Sequence, residues 1–434
     1  MKLRFFSMGV QYNISRYKII PEKRKTVMKK ERITAAALAA LLALSLAACG
    51  NNSGIDDSAQ ENQDSGGEPT VAEPLDPEEA VRTYWSEDQL TQEWGPNQVV
   101  EHLFFHPLVC YPEQAFDGDY QSNGIDDWMV TVDEYNKILD SLYEKGYILV
   151  DMNDVWSETT DENGNAVMVR NALMLPEGKK PLIISYDDVN YYEYMQGNGF
   201  TWKLILGEDG DIWSYSKDPA GNDVISQDQD AITILDKFVR EHPDFSLNGV
   251  KGCLCLTGYE GILGYRTNTD KEDQSAAFEE NRQKEIEAVK PIVARLKETG
   301  WYFGSHSWAH KSYEKMSLET VKADTERWFD EVGSLVGETK LLFYPYGGRP
   351  DGSDVTQTGP VFQYLQSQGF RVFASVGTES YSKIKKDICA VICDRLHPDG
   401  TTLRWQRQRY LQFYDAKDII DLSVRPQRDY DFGE

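Results

Sequence analysis

Leu182-Ile183-Ile184-Ser185-Tyr186-Asp187-Asp188 runs from an apolar stretch straight into two adjacent carboxylates. Leu182–Ser185 reads as a buried strand, because a short continuous apolar run leaves no face for solvent. Two neighbouring carboxylates leaving such a strand are costly unless something compensates them. A cation does so for one, and the other is then free to act as a base. A turn or helix N-cap aspartate is the alternative use of the same residues.

Outward from this strand, similar runs alternate with amphipathic ones. The sequence predicts strands at His102–Val109, Gly146–Val150, Gly252–Leu256, Trp301–Gly304, Lys340–Tyr344 and Phe370–Val376. It predicts helices at Val132–Lys145, Gln227–Glu241, Ala276–Thr299, Leu318–Val336 and Gly359–Gln368. Strands followed by helices imply βα units and a parallel sheet, and the expected fold class is α/β, a distorted (β/α)7 barrel. Asp161–Gly164 and Asp209–Gly210 have the composition of hairpin turns, so a β-rich insertion is expected at about 201–226.

Two further segments follow predicted strands. One is Gly304-Ser305-His306-Ser307-Trp308-Ala309-His310, the other Phe343-Tyr344-Pro345-Tyr346-Gly347. In βα barrels the reactive groups gather at the C-terminal ends of the strands. The spacing of His306 and His310 would put both imidazoles on one face of a helical turn, where they could share an ion. Two His and one carboxylate make a three-ligand set with open positions, the pattern of a catalytic metal. Alone, the histidine pair is equally the polar face of a helix.

Ser-Tyr-Asp-Asp, then His-Ser-Trp-Ala-His, then Pro-Tyr-Gly, in that order, resembles the polysaccharide deacetylases, the NodB-homology domain of carbohydrate esterase family four, over roughly residues 100–380. The resemblance implies a barrel that removes N- or O-acetyl groups from glycans. It implies that Asp188, His306 and His310 bind a divalent metal, zinc first, with cobalt, nickel or iron also suited to that donor set. Asp187 would be the general base that activates water, and the backbone N–H of Tyr346 would help hold the oxyanion. Pro345, Tyr346 and Trp308 would contact the substrate.

The chain departs from the family pattern at several places. Val189 replaces the usual Gly after the aspartates, and Phe343 replaces the Arg that orients the base. Arg349 is a candidate substitute, though nothing in the sequence shows it. The late Leu-x-His motif is not clean: His397 lies in Asp394-Arg395-Leu396-His397-Pro398-Asp399-Gly400, which reads as a turn. One branch of the family, which includes deacetylases of poly-N-acetylglucosamine, carries that last strand and its His at the front. Phe104-Phe105-His106-Pro107-Leu108 resembles its Tyr-His feature, with Phe for Tyr. The branch also has an aromatic-Pro-aromatic third motif without the Arg. On this reading His106, not His397, is the proton donor. His102 shares its strand, and His242 reads as a helix C-terminal cap.

The address is written before residue 50. Met28-Lys29-Lys30-Glu31-Arg32 is a basic start, Ile33–Leu46 is apolar but short for a membrane span, and Leu46-Ala47-Ala48-Cys49-Gly50 ends it. That order resembles a bacterial lipoprotein signal, cleaved before a lipid-bearing Cys49. The expected organisation is an extension over 1–27 that precedes the true start, a signal peptide over 28–48, an acidic tether over 49–80 and a catalytic domain over 81–434. The tether is polar and lacks aromatics, so it is expected to be disordered. The protein would sit on the extracytoplasmic face of the cell membrane, as a monomer.

Charge narrows the partners. The net charge is −26, and residues 1–48 are basic, so the remainder is more acidic still. Such a chain repels polyanions, which argues against nucleic acid and for a neutral or cationic polymer. The 24 Tyr and 10 Trp suit sugar stacking, though core packing is their ordinary use. The six cysteines contain no zinc-ribbon CxxC pair; Cys253 and Cys255 share a strand face, and Cys389 and Cys393 read as buried thiols. Three functions remain: an N-deacetylase of an amino-sugar polymer, an O-acetyl esterase on glycans, and an inactive lipid-anchored glycan binder. The departures at Val189 and Phe343 favour the binder; retention of both aspartates and both histidines argues against it.

Overall fold

The computed structural model describes residues 76–350, 359–385 and 388–433. The expected extension over 1–27, the expected signal peptide over 28–48, Cys49 and most of the expected tether lie outside the described residues. Seven parallel strands form the ring: β1 (Glu101–Phe105), β2 (Lys180–Asp187), β3 (Cys253–Leu256), β4 (Tyr302–Ser305), β5 (Leu341–Phe343), β6 (Val372–Val376) and β7 (Ala390–Arg395). They neighbour one another in that order, and the ring closes where Phe104 N donates to Leu396 O and Leu396 N to His102 O, each at 2.9 Å. Nearly every residue of these strands is buried, because helices cover the outside and side chains fill the inside. This is the α/β barrel that the sequence implies.

One of the seven strands predicted from the sequence takes another place. Gly146–Val150 does form a strand, Tyr147–Leu149, but it pairs only with the first residues of β2 and bridges Leu149 to Ser246. It wedges into the start of the barrel and takes no place in the ring. That place belongs to β7, a run read as buried thiols and a turn. The antiparallel strand Tyr381–Lys385 lies on the far side of β7.

The helices of the described residues include α1 (Pro77–Arg82), α2 (Val132–Glu144), α3 (Ala231–Glu241), α4 (Ala276–Glu298), α5 (Leu318–Trp328), α6 (Pro360–Ser367) and α7 (Gly400–Trp405). Their starts are set by local chemistry: Thr131 and Glu134 form a capping box on α2, and Ser275, Ser317 and Asp230 cap α4, α5 and α3. His242 ends α3, its N–H on Phe238 O. The predicted helix Leu318–Val336 is broken: after Trp328 it widens into a π-type turn over Phe329–Gly333. The turn brings Glu331 inward, where its carboxylate accepts from Trp308 Nε1 and Arg327 Nε, each at 2.8 Å. Such turns often mark functional sites, and this one braces the segment that carries His306 and His310. Lys203–Leu206, Ile212–Lys217 and Asp223–Ser226 make a separate three-stranded antiparallel sheet between β2 and α3.

Helix α1 begins inside the span assigned to the tether. Asp76 caps it, and Glu78 reaches the buried Lys251 at 3.1 Å and Arg240 at 3.5 Å. The folded part therefore starts by Asp76, ahead of the Val81 boundary. Lys251 is fully buried and keeps only Asp236, at 3.3 Å, as a second carboxylate. Glu78→Ala is expected to lower the unfolding free energy by about 2 kcal/mol or more, since it strips a buried charge of a partner. Urea unfolding measures this; no change in midpoint would show that Asp236 alone satisfies the lysine.

Candidate active site

The reactive residues all stand at strand ends. Asp187 is the last residue of β2 and Arg395 the last of β7; His106 follows β1, His306 follows β4, and Tyr344-Pro345-Tyr346 follows β5. β1 is cut short of its predicted length, because His106-Pro107 turns out of the sheet and Pro107 has no N–H for a ladder. This delivers five chain segments to one mouth of the barrel.

The backbone there is strained in a consistent way. Asp188, Ser307, His310 and Tyr346 all have positive φ, at 61°, 60°, 48° and 58°. Left-handed non-glycine residues cost free energy and cluster where function requires a fixed geometry. His306 and His310 are thus not on a helical turn, as their spacing suggested. A kinked loop brings their rings to 5.0 Å between centroids. Asp324 ties that loop down, accepting from Trp308 N at 2.8 Å and Ala309 N at 2.9 Å.

Ligand atoms of Asp188, His306 and His310 all lie within 4.8 Å of one another. His306 Nδ1 is 2.9 Å from Phe343 O; a carbonyl only accepts, so Nδ1 carries the hydrogen and Nε2 is left as a lone-pair donor. Asp188 Oδ1 accepts from Tyr192 OH at 2.6 Å. Its Oδ2 lies 3.5 Å from His310 Nε2 and 3.9 Å from His106 Nε2. These gaps are long for hydrogen bonds. Two ligand atoms on one tetrahedral ion, each about 2.1 Å from it, stand roughly 3.4 Å apart. The set therefore fits a small divalent cation. Burial pushes the Asp188 carboxyl up, but His310, His306 and His106 outweigh it and hold it below the usual range.

Asp187 has a different partner. Arg395 Nη1 and Nη2 donate to its Oδ1 and Oδ2 at 2.7 and 2.8 Å, a fork-to-fork pair, with Arg395 fully buried. Arg395 Nη1 also donates to Ser185 Oγ at 3.0 Å, and its guanidinium lies 4.1 Å from the Phe104 ring and 4.7 Å from Phe343. Phe343, where the family pattern has an arginine, thus packs under an arginine that arrives from another strand. Arg349 is not the substitute: it is paired with Asp394. Burial raises the Asp187 carboxyl, yet Arg395 and His306 override it and hold it well below the usual carboxylate range.

The structure brings His106 and His397 together, whereas the sequence set them as alternatives. His106 Nδ1 is 2.9 Å from His397 Nε2. Burial, then His397 beside it, lowers the His106 imidazole to about 4. The front strand lies next to the aspartate strand, and the last strand also enters the ring and brings its histidine. Tyr346 is 73 % exposed and its ring lies 4.6 Å from that of His310, so it offers an open aromatic face beside the ligands. Pro345 is buried beneath it. Trp308 is held by Glu331 and by Arg327, whose guanidinium is 3.4 Å from the indole centroid. Val189 is buried in the core. Reading the sequence missed Arg395, Asp399 and Tyr192. A signal for the first was present: Ala390-Val391-Ile392-Cys393 is an apolar run ending in charge, like 182–188.

Residues 270–365 match the family model for polysaccharide deacetylase. The resemblance is borne out over that span, which holds the second and third motifs, with His306, His310 and Tyr346, but not Asp187 and Asp188. No curated protein matches the chain. Among solved structures the chain is similar to the Streptococcus pyogenes deacetylase PplD in complex with acetate, at 14% identity and a TM-score of 0.38, covering 73% of this chain and 98% of that one. It is similar to a polysaccharide deacetylase from Bacillus cereus, at 13% identity and 0.35, covering 70% and 66%. It is also similar to IcaB from Ammonifex degensii, at 13% identity and 0.34, covering 69% and 91%.

Proposed function

We propose that the chain is a polysaccharide deacetylase that removes N-acetyl groups from an amino-sugar polymer, with a divalent metal, zinc first, at Asp188, His306 and His310. The observation that carries this is the division of the aspartate pair. One carboxylate faces imidazoles at ion-ligand spacing, and its neighbour is claimed by Arg395. The metal, when bound, supplies a Lewis acid that polarises the acetyl carbonyl and makes nearby water more acidic.

The chain's own groups do the rest. Asp187, fixed by two hydrogen bonds, accepts the proton of the attacking water. The N–H of Tyr346, a residue with φ of 58° beside the ligands, is the donor assigned to the oxygen on which negative charge develops. His106 gives a proton to the departing amine from Nε2, the nitrogen turned toward Asp188. The exposed ring of Tyr346 gives a sugar a surface to stack on. The arginine that the binder reading found missing is supplied by Arg395, which removes that reading's main support. We place the enzyme at the extracytoplasmic membrane face, on the order of Met28 to Cys49.

Acetate release from a panel of acetylated glycans, with metal added and chelated, tests the activity. N-acetylated glucosamine polymers are expected to release acetate only with metal present. His306→Ala is expected to lose most of its metal by elemental analysis, since two remaining ligands rarely hold an ion tightly. Full occupancy in that variant sinks the ligand assignment, and acetate from O-acetylated glycans alone would make the protein an esterase.

A further inference from the structure

Behind His106 stands a hydrogen-bonded pair that the scheme above leaves without a role. His397 Nε2 meets His106 Nδ1 at 2.9 Å, and His397 Nδ1 meets Asp399 Oδ2 at 2.9 Å. His397 is 7 % and Asp399 2 % exposed, so neither is a surface group that happens to touch. The His397 ring stacks on Phe104 at 4.3 Å and 14°, with Trp128 parallel to it at 6.5 Å. Its carbonyl accepts from Thr402 Oγ1 at 3.0 Å and Tyr410 OH at 2.9 Å. Asp399 does two things at once: Oδ1 caps α7 through Thr402 N at 2.6 Å, while Oδ2 holds the imidazole.

This construction leaves little freedom. A carboxylate only accepts, so His397 Nδ1 carries a hydrogen. Its other nitrogen then faces His106 Nδ1, and His106 Nε2 is the nitrogen left for the reaction. We propose that His397 and Asp399 are positioning residues that hold the His106 ring with Nε2 toward the leaving group. The proposal rests on the reading of His106 as donor. As the C–N bond breaks, its electron pair stays on nitrogen and takes the hydrogen of His106 Nε2, while His106 Nδ1 keeps the hydrogen that it donates to His397 Nε2 and His397 Nδ1–H stays on Asp399.

Leaving groups separate this role from a structural one. An amine needs a proton to depart, and 4-nitrophenolate does not. The zinc-loaded wild type, His397→Ala and His397→Phe are compared on an N-acetylglucosamine oligomer and on 4-nitrophenyl acetate; Phe keeps the stack on Phe104 should Ala fail to fold. Both variants are expected to lose roughly 10- to 100-fold in kcat on the oligomer, with zinc content and aryl acetate turnover unchanged. Equal losses on both substrates, or none on the oligomer, overturn the proposal. A wild type inactive on both substrates overturns the deacetylase reading and this step with it, whereas an active wild type with uniformly impaired variants overturns this step alone.

Discussion

Asp187→Asn is expected to keep its metal and lose turnover by roughly 10²- to 10⁴-fold, the usual worth of a general base. Asp188→Asn is expected to lose metal and turnover together. The two residues are adjacent, so the contrast depends on where their side chains go. Asp187 spends both oxygens on Arg395, at 2.7 and 2.8 Å, and its nearest imidazole nitrogen is His306 Nε2 at 3.8 Å. Asp188 spends one oxygen on Tyr192 and presents the other to His310. Consecutive side chains of an extended strand point to opposite faces, and Asp188, with its left-handed φ of 61°, stands just where β2 ends. Metal stoichiometry and kcat, measured on both variants, decide it. Equal metal loss in both would mean that the carboxylates are not divided into base and ligand.

The parts of this site legible in the sequence share one property: each is a local pattern at the end of an apolar run. Asp187-Asp188, His306 and His310, and Pro345-Tyr346 all stand directly after stretches that read as buried strands, and the barrel rule then gathers them. What was not legible depends on which strands become neighbours. Arg395 and Asp187 are far apart in sequence, and their pairing exists only because β7 closes onto β1 beside β2. The seven predicted strands include Gly146–Val150, whose run looks like the others. The pairing partners that keep it out of the ring, Lys180–Leu182 and Ser246, are set by the tertiary fold. Pro398-Asp399-Gly400 marks a turn after His397, and the turn is real: it is the capped start of α7. That Asp399 serves both as cap and as imidazole partner follows from the second oxygen of a carboxylate, which sequence reading has no means to place.

Arg395→Met is expected to abolish most activity and to destabilise the protein in a pH-dependent way. In the wild type, burial would raise the Asp187 carboxyl, but Arg395 holds it well below its ordinary value near 4. A depressed folded pKa adds stability above the unfolded value, and this is lost as pH falls below about 4. With methionine in place, the apolar stem remains and the counter-charge is gone. Asp187 then keeps the burial that raises it and the weaker help of His306 and His106. Leaving that carboxylate unpaired is expected to cost about 3–5 kcal/mol near pH 7. Because the raised group protonates readily, the deficit relative to wild type should shrink as pH falls toward about 5. Activity should move the other way: the acid limb of kcat/KM shifts to higher pH by at least about one unit, since the base must be ionised to accept a proton. Arg395→Lys keeps the charge but not the fork, and should fall between the two in both measurements. Urea unfolding at two pH values and a pH–rate profile are the checks. A stability deficit that is the same at both pH values, with an unshifted acid limb, would show that Arg395 serves only to fill the barrel between Phe104 and Phe343.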